Sequence, residues 1–85
     1  MNDLDFTLLT KAGISQGEFA RLADVSRATV NSWCRGRHQI DALRIKRVRL
    51  ILTTIGRALS HGALPLPDRI DRMEHIKQAL ARHLP

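Results

Sequence analysis

Two helix-start signals lie eleven positions apart in this chain, at Ser15 and Ser26, and that spacing leaves little choice of fold between them. In Ser15-Gln16-Gly17-Glu18, the serine hydroxyl can accept from the amide of Glu18 while the Glu18 carboxylate reaches back to the Ser15 amide, the reciprocal cap that opens a helix. Ser26 supplies a second N-cap. Gly13 stops a helix before the first signal and Gly36 stops one after the second. The pattern predicts two short helices, one to about Ala23 and one from Ser26 to about Arg35, with Asp24-Val25 as the interruption. Phe19, Ala20 and Ala23 share a face of the first, and Val30 and Trp33 form the inward pair of the second.

Helical patterning continues through the rest of the chain, with no alternating β-branched stretch and no Asn-Gly hairpin signal. A helix over Leu4–Ala12 turns Leu4, Leu8 and Leu9 inward. Asp41 caps a fourth helix with a stripe of Ile45, Val48, Leu52, Ile55 and Leu59, widened by Leu43 and Ile51. Gly62 ends it, and Gly56 is its weak point. Residues 63–67, with Pro65 and Pro67, form a stiff connector. A fifth helix runs from near Asp68 to about Leu84, its apolar side made of Ile70, Met73, Ile76, Leu80 and Leu84. The expected fold class is all-α with five helices. Residues 1–62 form the main domain, and residues 63–85 a connector and an appended C-terminal helix.

Charge narrows the function classes. The net formal charge is +6, and it is concentrated in the middle: residues 21–57 carry nine arginines and lysines against Asp24 and Asp41, a net of +7. Such a concentration is the footprint of a polyanion binder. A solvated basic face without a partner is the plainer alternative. Carboxylates are few and scattered, so no general acid/base pair is indicated, and nothing around Ser15 or Ser26 suggests a nucleophile. The chain is expected not to be an enzyme and to need no cofactor. The four histidines lack ligand spacing and there is no second cysteine, so no metal site is expected. Cys34 reads as structurally inert, in keeping with a reducing compartment. The longest apolar run is Leu50-Ile51-Leu52, too short for a membrane span, and no secretory start is seen, so a cytoplasmic location is expected.

Two short helices joined by a turn of about three residues have helix-turn-helix geometry. The steric requirements are met: a small residue, Ala20, where the next helix crosses; Val25 to lock the turn; Val30 and Trp33 to anchor the second helix. Trp33 is thereby read as core and not as a base-stacking platform. The outward face is then Arg27, Ala28, Thr29, Asn31, Ser32 and Arg35, small, polar and basic as a major-groove reader must be.

The stretch from Gly13 to Arg37 resembles the helix-turn-helix of the Cro/repressor family, which includes phage repressors and bacterial regulators of the xenobiotic-response-element type. The resemblance covers about residues 4–52. It rests on Ser15-Gln16 at the start of the first short helix, on Ala20, and on Trp33 three residues before Gly36. One departure is Asp24 where the family usually has glycine in the turn, at a position that often takes a left-handed conformation. The resemblance implies a lambda-repressor-like fold and a double-stranded DNA partner. By position, Arg27, Ala28 and Ser32 would read base edges, with Thr29, Asn31 and Arg35 as secondary candidates. Gln16 and Ser26 would contact phosphate. Arg37, His38 and Gln39 follow the reading helix and are further phosphate candidates, as are Arg44 and Arg47.

One reading helix covers few base pairs, so a homodimer on a near-palindrome is expected. The C-terminal stripe of Ile70, Met73, Ile76, Leu80 and Leu84 is read as dimer seam, as core, or as both. The role implied is a transcriptional repressor of the phage or prophage kind. A small protein partner, an antirepressor or a toxin, would fit the tail. The rival readings are a DNA-binding antitoxin and an excisionase-like recombination factor.

Overall fold

The computed structural model describes residues 4–67 and 71–85. Five helices follow one another: α1 (Thr7–Ala12), α2 (Gln16–Ala23), α3 (Arg27–Cys34), α4 (Ala42–Ser60) and α5 (Arg72–Arg82), with no strand among the described residues.

α1 starts three residues later than its apolar pattern predicts. The Asp5 carboxylate accepts from the Thr7 amide (3.0 Å) and from the Thr7 hydroxyl, which fixes the helix start at Thr7. Gly13 ends α1 in the left-handed region at φ 67°, and a Cβ there would stand 3.3 Å from the Pro65 Cβ. α2 opens with the reciprocal cap: Glu18 N–H to Ser15 Oγ at 3.0 Å and Ser15 N–H to Glu18 Oε1 at 2.9 Å. α4 opens on Asp41, whose carboxylate accepts from the Arg44 amide at 3.0 Å. It runs unbroken through Gly56, and the missing Cβ there leaves room for Leu8, whose Cδ1 comes within 3.7 Å of where a Cβ would sit.

One hydrophobic core gathers Leu9, Phe19, Val30, Val48 and Ile55, among others, together with Leu64, Ile76, Ala79 and Leu80 from the C-terminal part of the chain. α2 packs on α3, α1 and α2 pack on α4, and α5 packs on α4. The stripe on α4 is observed at Val48, Leu52 and Ile55, with Ile45, Ile51 and Leu59 half-buried. Leu43 is the exception. It is 92% exposed, because it sits in the first turn on the side away from the core, and so does not widen the stripe. Thr54 is buried instead. Its hydroxyl donates to the Leu50 carbonyl at 2.7 Å, so a polar residue fills an apolar position with no unmet hydrogen bond.

The C-terminal stripe serves as core at two of its positions: Ile76 is fully buried and Leu80 nearly so within the chain. Met73 is half-buried and Leu84 exposed; Ile70 and the start near Asp68 lie outside the described residues. Polar contacts hold α5 at both ends. The Arg57 Nε donates to the His83 carbonyl at 2.9 Å, and the His61 and His83 rings stack at 5.0 Å. At the other end Arg72 donates Nε to Glu18 Oε2 (2.9 Å), and Nη2 to Glu18 Oε1 (3.2 Å) and the Gly13 carbonyl (2.5 Å).

The Arg72 guanidinium is the main reason the Glu18 carboxyl is held below its ordinary value. Burial opposes this, and the Ser15 bonds add to it. The sign of the pH effect follows. A carboxylate lowered in the folded state contributes stability that is complete above the unfolded value, about 4.3, and is lost as pH falls through the folded value. Melting followed by circular dichroism should therefore show a fall in Tm below about pH 4.3, and this fall should be smaller in Glu18→Gln. Equal slopes for the two proteins would remove Glu18 from the account.

Candidate nucleic-acid interface

The two short helices cross because their contact is small and their turn is locked. Ala20 is buried on α2, which packs against α3, and Val30 and Trp33 are the buried residues of α3. The Phe6 ring stands edge-on to Phe19 (6.0 Å) and tilted to Trp33 (6.5 Å), so Trp33 belongs to an aromatic cluster in the core. Asp24 takes the left-handed conformation (φ 58°) at the end of α2, the strain that glycine would have avoided. The half-buried Val25 closes the turn, its amide donating to the Ala20 carbonyl at 3.0 Å.

α3 starts at the Ser26 cap. The Ser26 Oγ accepts from the Thr29 amide at 3.1 Å and shares a 2.8 Å hydrogen bond with the Thr29 hydroxyl. Arg27, Ala28 and Arg35 are exposed; Thr29, Asn31 and Ser32 are half-buried. The Arg27 Cδ lies 3.9 Å from where a Gly17 Cβ would stand, so Arg27 leaves α3 over the start of α2, beside Gln16. Gln16 is half-buried and hydrogen-bonds the Cys34 thiol, a contact that joins the first residue of α2 to the last of α3. Burial pushes the Cys34 thiol up, and the Gln16 bond offsets part of that, so Cys34 lacks the lowered pKa of a reactive cysteine.

Past Gly36 the amide of Arg37 donates to the Ser32 carbonyl (2.9 Å), which turns the chain sharply, and Arg37, His38 and Gln39 are all exposed. Arg44 and Arg47 are exposed as well but have partners. Arg44 Nη1 meets Asp41 Oδ2 at 2.6 Å, and this guanidinium is the main cause holding Asp41 low. Arg47 donates to the Leu22 carbonyl at 3.2 and 3.4 Å, tying α4 to the last turn of α2 just before Asp24.

The structure thus brings Gln16, Gly17 and Arg27 together, and hangs Arg37, His38 and Gln39 from the far end of α3. The Gln16–Cys34 and Arg72–Glu18 contacts have no local signal in the sequence. Among the described residues no three His, Cys, Asp or Glu side chains come together in a metal-holding group, and no helix is long and apolar enough to cross a membrane.

A family model described as Helix-turn-helix matches residues 7–56, more than half of the chain. No curated protein and no solved structure matches it.

Proposed function

The chain belongs to the helix-turn-helix family, whose members are DNA-binding regulators, and from that premise we propose that it is a repressor of the phage or prophage kind acting on a near-palindromic operator in the cytoplasm. The observation that carries this reading is the division of α3: Val30 and Trp33 are sunk in the core while Arg27 and Ala28 are exposed and Ser32 half-exposed. A helix anchored in this way can enter a major groove without unfolding anything beneath it.

In this reading Arg27 forks onto the O6 and N7 of a guanine, Ala28 offers its methyl group to a thymine, and Ser32 bonds a neighbouring base directly or through water. The exposed Arg37, His38 and Gln39 grip phosphate after α3, and Gln16 and Ser26 do so before it. Two copies occupy half-sites about 34 Å apart. Since Ile76 and Leu80 are buried within the chain, Met73 and Leu84 are the members of the C-terminal apolar stripe left accessible among the described residues, and we propose that the pair assembles on DNA and not beforehand.

Selecting bound duplexes from a random pool tests this reading. The expected product is a two-fold symmetric site. Arg27→Ala should then relax one position in each half-site, at a cost of about 1–3 kcal/mol for the preferred base. A loss equal across all sequences would make Arg27 a phosphate contact and defeat the base-reading assignment.

A further inference from the structure

α4 carries an outward pair of leucines that the DNA-reading geometry does not use. Leu43 is 92% exposed and Leu50 45% exposed, and at about 100° per residue they lie only about 20° apart around the helix and about 10 Å apart along it. Lys46 and Arg47, both exposed, stand between them. Farther along, the same line reaches Thr54, which is buried on the half of α4 where Arg57 bonds the C-terminal end of α5. One line along α4 is therefore covered at one end and bare at the other.

We propose that the bare end, Leu43 to Leu50, is a docking site for an acidic amphipathic helix of another protein. The choice of occupant rests on charge. Residues 42–50 contain Arg44, Lys46, Arg47 and Arg49 and no aspartate or glutamate, and of these Arg44 is paired with Asp41 just before them. A second copy laid face to face would set these cations against their equals. DNA would answer the charge but gain nothing from burying two leucines. A helix with apolar residues one to two turns apart and carboxylates beside them satisfies both features, covering Leu43 and Leu50 while its acids meet Lys46 and Arg47. It would do for this half of α4 what α5 does for the other. Such a partner would join this chain to another protein without occupying α3.

The probe is a helical peptide of about 20 residues with leucine at i, i+4 and i+7 and glutamate around it. It is titrated into the isotope-labelled full chain without DNA, so failure here leaves the operator reading standing, and failure there leaves this one. Amide shifts should centre on residues 42–50 and weaken as salt rises from about 50 to about 300 mM. The double variant Leu43→Ser, Leu50→Ser should bind at least about tenfold less tightly, with its melting curve little changed because both side chains are exposed. Leu43→Ser alone, at the more exposed site, guards against any folding defect from Leu50. A peptide with lysine in place of glutamate should not bind. The proposal is overturned if no shift appears at about 1 mM peptide, if the lysine peptide binds equally, or if the shifts fall on α3. It is also overturned if the chain alone is a dimer that Leu43→Ser makes monomeric, which would give the face to a second copy.

Discussion

Ile76→Asp is expected to leave no folded protein. Ile76 has no exposed surface, and removing its side chain alone should cost about 2–5 kcal/mol. The carboxylate that replaces it meets an apolar core and must be buried neutral or drag water in, which adds several kcal/mol more. A domain of this size has roughly 5–10 kcal/mol in total. Far-UV circular dichroism should show no cooperative melt, and DNA binding should vanish with it. Ile76→Val, at about 0.5–1.5 kcal/mol, should keep the fold and only lower Tm. A well-folded Ile76→Asp protein would mean that α5 lies outside the core, and would restore the dimer seam that the apolar spacing suggests.

Operator binding should collapse with salt. If Arg37, Arg44 and Arg47 of each of two copies neutralise phosphate, about six counterions are released, the log–log slope is about −5, and affinity falls roughly 10³-fold between 50 and 200 mM salt. Arg44 and Arg47 must then turn part of their donors away from Asp41 and the Leu22 carbonyl, which their exposure allows. Fluorescence anisotropy at four or five salt concentrations measures the slope. A value flatter than about −2 would reduce the phosphate clamp to Arg37 alone and leave the two α4 arginines as structural ties.

The features legible in the sequence are those whose cause is local. Ser15 and Glu18 cap each other across three residues, Ser26 and Asp41 each cap their own helix, and Val30 and Trp33 share a face by helical spacing. These fix the helix-turn-helix and the exposed side of α3. What escaped the sequence depends on partners far along the chain. Spacing marks Leu43 as a candidate for the α4 stripe, yet only the assembled fold shows that nothing lies over that first turn. Ile76 and Leu80 have the spacing of a seam and of a core alike, and only the assembled fold shows them buried on the helix that packs against α4. Arg72 reaches Glu18 across 54 residues, a pairing that no window of sequence displays. The start of α1 has a local signal that apolar spacing does not carry: Asp5, two residues before Thr7, accepts from the Thr7 amide where the helix begins.

The bond between Arg72 and Glu18 ties the inheritance of one end of the gene to that of the other. The glutamate that initiates α2 is also the dock for the tail, so a recombination event that swapped in a tail without a cation at this place would strip a partner from the helix that supports the reading surface. Exchange of DNA specificity by shuffling should succeed when the crossover points keep positions 18 and 72 from the same parent, whatever happens to the face of α3 between them.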